Sequence, residues 1–111
     1  MTGLAAESFR RLDPSTAVAD GAVVPYYLSD RKSRISVARV GGCLFAFDDL
    51  CPCAAEACPL SGGLLDGTLL MCQCHGSQFD LTSGAVRRGP ATAGLHLHEV
   101  HDVDGQIQVR V

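Results

Sequence analysis

The sequence predicts an all-β domain, folded as an antiparallel β-sandwich or partly open barrel. Short runs rich in β-branched and aromatic residues follow one another along most of the chain, as strands do. Gly, Asp, Ser and Pro residues, which favour turns, separate these runs. A single stretch, 13–18, has the character of a helical turn, and it is too short to alter the class.

The N-terminal half is expected to contain four strands, at 8–12, 22–28, 34–40 and 43–47. Turn residues separate them, at Asp20-Gly21, 30–33 and Gly41-Gly42. The third run alternates polar and apolar residues, which is typical of a strand with one buried face. Cys43 opens the fourth run and is expected to be a small buried residue.

The C-terminal half continues the pattern, with further short strands expected at 68–72, 78–81 and 85–87. The tail predicts an antiparallel hairpin. Its two strands are 95–101 and 106–111, and Asp104-Gly105 lies between them, a dipeptide that favours tight hairpin turns.

Size and charge exclude several classes of function. At 111 residues the chain is expected to form one domain, 1–111, without a linker. Its formal charge of -3 argues against nucleic acid and against an acidic membrane surface as partners. No apolar stretch has the length of a signal peptide or membrane span, so a soluble, cytoplasmic protein is expected.

Cysteine provides the main functional signal. The chain has six cysteines, and five of them lie in two short segments, 51–58 and 72–74. Such clustering in an intracellular chain indicates metal or redox chemistry more often than a disulfide framework. Thiolate and imidazole donors suit zinc or an iron–sulfur centre. A zinc site could use Cys51, Cys53 and Cys72 with Cys74 or His75, although zinc ribbons favour Cys-x-x-Cys and both pairs here are Cys-x-Cys.

The residues around these cysteines resemble the Rieske [2Fe-2S] ferredoxin family over most of the chain, 12–111. That family has Cys-x-His in a first loop, Cys-x-x-His in a second, and Pro-Leu-Ser with a Gly between them. The matching residues are Pro59-Leu60-Ser61-Gly62, Cys72-Gln73-Cys74-His75-Gly76, Phe79-Asp80-Leu81, Gly84 and Gly89-Pro90-Ala91. The resemblance implies two cluster-binding loops, at about 48–62 and 71–91.

The resemblance also implies a ligand set. One iron of the [2Fe-2S] cluster would be held by Cys51 and Cys72, and the outer iron by Cys53 and His75. The sequence departs from the family at position 53, which is Cys instead of His, and the first loop is about two residues longer than usual. A second alignment would make Cys53 the first ligand, but it puts Ala55, which has no donor atom, at the histidine position.

Other roles follow from the same resemblance. Ser77 is expected to donate a hydrogen bond to a bridging sulfide, and Pro90 belongs to a loop that shields the cluster. Phe79 stands where high-potential members have tyrosine. Cys58 and Cys74 match the positions of a disulfide that joins the two loops in those members; two thiols are the alternative.

The expected function is that of a one-electron carrier, not an enzyme, which passes electrons from a ferredoxin reductase to an oxygenase or similar acceptor. Two alternatives remain at this point. One is a structural zinc module, and the other is a Rieske-type domain that has lost its cluster and serves as an interaction module.

Overall fold

A computed structural model describes residues 9–29, 32–50, 59–74, 76–89 and 91–110. These residues form eleven β-strands and two 3₁₀ turns, the turns being Ser15–Ala17 and Leu60–Gly62. In chain order the strands are β1 Phe9–Pro14, β2 Val23–Leu28, β3 Ser33–Val40, β4 Cys43–Asp48, β5 Leu64–Asp66, β6 Leu69–Met71, β7 Gln78–Asp80, β8 Val86–Arg88, β9 Leu97–His98, β10 Val100–Val103 and β11 Gln106–Arg110.

The strands form three sheets, which confirms the predicted all-β, antiparallel class. The first sheet has the order β1-β11-β10, the second β2-β3-β4-β9 and the third β5-β6-β7-β8. Every strand pair in them is antiparallel. In the described part of the chain, no helix is long and apolar enough to cross a membrane.

Strand β3 separates two hydrophobic cores, because successive side chains of a strand point to opposite faces. Ile35 and Val37 pack with Ile107 and Val109 of the first sheet. Ala38 points the other way and packs in a second core with residues of the third sheet. That second core also holds Phe47, Leu60, Leu70, Cys72, Phe79, Leu81, Ala91 and Leu95. The third sheet and its connecting segments therefore pack on strands β3 and β4, which are called the platform below.

The C-terminal hairpin is confirmed, with one correction to its first strand. Val103 pairs with Gln106, and both turn residues, Asp104 and Gly105, have positive φ values of 52° and 79°, as a tight hairpin turn requires. The predicted strand 95–101 is wrong as a single strand. The chain leaves the second sheet after β9 and joins the first sheet at β10, so the break at Glu99 follows from this change of partner.

Two further expectations differ from the structure. Strand β5 was not predicted, because three residues between glycines carry too little alternation to signal a strand. Cys43 is exposed instead of buried. It opens β4 directly after the Gly41-Gly42 turn, and the end of a hairpin lies outside the region that the neighbouring sheets cover.

Candidate metal centre

Three of the predicted site residues lie within the described structure, namely Cys72, Cys74 and Ser77. Cys72 directly follows β6 and Ser77 directly precedes β7, and both are fully buried. Cys51, Cys53, Cys58, His75 and Pro90 lie outside the described residues, so their roles stay predictions.

The second cysteine segment is a tight turn closed by two backbone hydrogen bonds. The amide of Cys72 donates to the carbonyl of Ser77 at 2.8 Å, and the amide of Gly76 donates to the carbonyl of Cys72 at 2.9 Å. Gly76 has a φ of +79°, a conformation that other residues adopt only with strain. Glycine is therefore favoured at this position for its conformation.

Ser77 links this turn to the segment that contains the predicted Pro loop. Its hydroxyl oxygen accepts a hydrogen bond from the amide of Ala91 at 3.0 Å, and the bond is buried. A serine hydroxyl accepts and donates at the same time, so the Ser77 proton remains available to an acceptor beside the turn. Ala91 is 5% exposed, and residue 90 precedes it directly in the sequence.

The loop that contains Ala91 is held at its other end as well. The amide of Leu95 donates to the carbonyl of Gly84 at 2.8 Å. A Cβ added to Gly94 would overlap that same carbonyl oxygen, and one added to Gly84 would lie 2.7 Å from the carbonyl oxygen of Leu95. The two backbones meet so closely that neither position has room for a side chain.

The two ends of the first cysteine segment lie beside each other. Leu50 and Pro59 form an antiparallel bridge, and the amide of Leu60 donates to the carbonyl of Asp49 at 2.5 Å. Leu50 and Pro59, which flank the first cysteine segment, are therefore neighbours in the structure.

Close glycine contacts bring the residues that follow the first cysteine segment against the second segment. A Cβ on Gly62 would lie 2.9 Å from the side-chain nitrogen of Gln73, and one on Gly63 would overlap the carbonyl oxygen of Met71. Gln73 and Met71 flank Cys72 in sequence. The residues that follow the first segment thus pack directly on those around Cys72.

Cys74 is disulfide-bonded. Cys58, the predicted partner, lies outside the described residues. The predicted pairing of Cys74 with Cys58 therefore stays a prediction.

The chemistry of the described donors fits an iron–sulfur cluster. Cys72 offers a buried soft donor, and the neighbouring Ser77 offers a buried hydroxyl proton in apolar surroundings. Buried hydroxyls need an acceptor, and an inorganic sulfide is one. Among the residues that the structure describes, no group of three or more His, Cys, Asp and Glu could hold a metal ion.

Sequence reasoning missed one functional side chain, Asp49. It is fully buried, although aspartate is almost never fully buried unless it is paired. Its position two residues before Cys51 was the available signal, but a sequence does not show that a carboxylate points inward.

Comparison with known proteins supports the same family. The model of the Rieske [2Fe-2S] domain matches residues 9–102. The anthranilate 1,2-dioxygenase ferredoxin subunit of Burkholderia cepacia is 34% identical over 77 residues, which are 69% of each chain. Ferredoxin CarAc of Metapseudomonas resinovorans is 33% identical over 75 residues, 68% of each chain.

A solved structure extends the likeness to nearly the whole fold. It is a chain in the complex of reduced oxygenase and oxidized ferredoxin of carbazole 1,9a-dioxygenase. That chain superposes with a TM-score of 0.84 at 25% identity, and the match covers 93% of both chains.

Proposed function

Since the chain belongs to the Rieske [2Fe-2S] domain family, we propose that it is a one-electron carrier that receives electrons from a reductase and passes them to an oxygenase. The observation that carries the proposal is the closed turn from Cys72 to Ser77, in which a backbone hydrogen bond joins two fully buried residues, one with a thiol and the other with a hydroxyl. Its relatives are ferredoxin components of dioxygenases, and one solved relative is a complex of ferredoxin with oxygenase.

The bound cluster would supply reversible one-electron chemistry. Cys72 would hold one iron together with Cys51, and Cys53 with His75 would hold the outer iron, as the family pattern implies. The Ser77 proton would lie toward a cluster sulfide. Such a hydrogen bond stabilises the added negative charge after reduction and so raises the midpoint potential.

The predicted Pro loop, Gly89-Pro90-Ala91, would exclude water from the cluster. Its last residue, Ala91, is anchored on Ser77, and the segment that follows is anchored on Gly84 through the amide of Leu95. Lower polarity around the cluster strengthens every nearby electrostatic interaction, so the same loop would make the potential sensitive to the charges close to it.

We infer that the protein has no substrate chemistry of its own and acts as one component of a multicomponent oxygenase system. Its whole length, 1–111, would then serve as one carrier domain. A cytoplasmic location, expected from the sequence, stays a prediction.

Metal analysis after anaerobic purification tests the proposal. We expect about two irons and two acid-labile sulfides per chain, a brown colour, and an electron paramagnetic resonance signal that appears on reduction with dithionite. A colourless protein with one zinc per chain would identify the structural zinc module instead. A folded protein without iron or sulfide would identify the interaction module.

A further inference from the structure

A buried carboxylate joins the platform to both ends of the first cysteine segment. The side chain of Asp49 is fully buried, between the end of β4 and residue 51. Burying a charged group is costly unless it is paired and hydrogen-bonded, so its partners show what it does.

The carboxylate oxygen Oδ1 contacts two separate parts of the chain. It accepts a hydrogen bond from the hydroxyl of Ser36 on β3 at 2.6 Å. It accepts a second from the amide of Ser61 at 2.8 Å, and Ser61 lies in the 3₁₀ turn that follows the first cysteine segment. One oxygen atom therefore connects the platform to the far end of that segment.

The backbone of Asp49 repeats the same connection. Its amide donates a hydrogen bond to the carbonyl of Arg34 on β3 at 3.0 Å, and its carbonyl accepts a hydrogen bond from the amide of Leu60 at 2.5 Å. Asp49, which precedes the segment, therefore connects β3 to the residues that follow it, Leu60 and Ser61.

The charge of Asp49 is balanced by Arg34. The guanidinium Nε of Arg34 lies 2.5 Å from Oδ2, and the Arg34 side chain is 40% exposed while that of Asp49 is fully buried. Such a pair brings its positive end to the surface and keeps its negative end buried.

We propose that Asp49 is the positioning residue of the first metal-binding segment. It fixes both ends of residues 51–58 on β3, and hence relative to the turn of Cys72, and its charge acts on the potential of the cluster held between them. This inference rests on the proposed function for its redox part. It also explains how a segment longer than the family's usual one still begins and ends at one point.

The test compares Asp49→Asn, Asp49→Ala and the control Asp48→Asn. Asp48 is the adjacent residue, its side chain is 49% exposed, and its replacement removes the same charge. Two quantities are measured on each purified protein: the hydrogen-exchange rate of the Ser61 amide, and the midpoint potential of the cluster.

We expect the Ser61 amide of Asp49→Ala to exchange about tenfold faster or more, because its buried acceptor is lost. Asp49→Asn keeps an acceptor oxygen, so its Ser61 exchange should stay within about threefold of wild type. Its potential should nevertheless rise, because a nearby negative charge that opposes reduction has been removed. Asp48→Asn should change neither quantity.

Unchanged Ser61 exchange in Asp49→Ala would overturn the positioning role. A potential that moves as much in Asp48→Asn as in Asp49→Asn would overturn the redox role. If Asp49→Ala does not fold, Ser36→Ala takes its place, because it frees Oδ1 from β3 and leaves the carboxylate. Its Ser61 amide should then exchange faster than in the wild type, and unchanged exchange would overturn the positioning role. Absence of a cluster in the wild-type protein would refute the proposed function, and Ser61 exchange would still decide the positioning role.

Discussion

The hydroxyl oxygen of Ser77 accepts a hydrogen bond from the backbone amide of Ala91 at 3.0 Å, and both residues are buried. This bond joins the turn that carries Cys72 to the loop expected to shield the cluster. Ser77 therefore has two tasks in the proposed carrier, since its oxygen holds the loop while its proton serves the cluster.

Ser77→Ala should affect both tasks. The buried Ala91 amide would lose its acceptor, which costs about 1–3 kcal/mol of unfolding free energy. The midpoint potential should fall, because the donor to the cluster is lost as well. Chemical denaturation and a redox titration followed by electron paramagnetic resonance measure the two effects.

Ser83→Ala is the matched control for Ser77. The Ser83 hydroxyl also accepts a backbone amide, that of Ala85 at 3.2 Å, but in an exposed turn, where water replaces the lost bond. We expect no change of potential in this variant. Equal changes of potential in the two alanine variants would contradict the role assigned to Ser77.

Gly63→Ala should disrupt the contact between the residues that follow the first metal-binding segment and the end of β6. The φ and ψ of Gly63, -79° and -176°, suit any residue, so the damage would come from overlap of the new Cβ with the Met71 carbonyl. We expect a loss of about 3 kcal/mol in unfolding free energy and a lower cluster content. Gly67→Ala is the control for backbone strain without overlap, because Gly67 has a φ of +60° and open space around it. This variant should lose only about 1–2 kcal/mol of unfolding free energy.

Cys74→Ser should destabilise the oxidised protein by about 2–4 kcal/mol. If Cys58 is the partner, Cys58→Ser should cost the same, and the double variant should cost no more than either single one. Thiol counts on the denatured, non-reduced proteins identify the pair directly. Cys43→Ser, at an exposed position, should change stability by less than about 0.5 kcal/mol. A Cys58→Ser protein that gains no reactive thiol at Cys74 would refute the pairing.

Cys53→His should raise the midpoint potential, because a neutral imidazole would replace a thiolate charge at the reducible iron. It should also strengthen the dependence of the potential on pH, since two histidines would then titrate with reduction. Redox titrations at several pH values, together with nitrogen couplings in the electron paramagnetic resonance spectrum, check both effects. Identical spectra and potentials for the two proteins would show that residue 53 is not a ligand.

The raised pKa of Tyr26 predicts that the protein loses stability at alkaline pH. Burial, with a further contribution from the carboxylate of Asp13, raises the pKa of Tyr26 to about 12, whereas the pKa of an unfolded tyrosine is about 10. A raised tyrosine pKa means that the fold favours the protonated phenol. Its contribution is therefore complete below about pH 10 and is lost as the pH rises toward 12.

Denaturation midpoints measured on either side of pH 10 check this prediction. Tyr26→Phe should flatten the decline in stability, and Tyr27→Phe, at a side chain that is 63% exposed, should leave it as in the wild type. The same slope in both variants would show that another group causes the decline.

The fold class and the cluster-binding pattern were readable from the sequence because both are local signals. Alternation along 34–40 predicted a strand that the structure confirms as Ser33–Val40, and Asp104-Gly105 predicted the turn between β10 and β11. The spacing of Cys72, Ser77 and their neighbours carried the family resemblance, because ligands in one turn must lie close together in the chain.

Contacts between distant residues were decided by the tertiary structure. Asp49 becomes a buried anchor only because Ser36 and Ser61, which lie in separate parts of the chain, both contact its carboxylate. The break at Glu99 arises because β9 and β10 belong to different sheets. The hydroxyl of Ser77 accepts its hydrogen bond from Ala91, which lies 14 residues away in the sequence. Local patterns determine which elements form, whereas the direction of a polar side chain depends on what the packed sheets bring beside it.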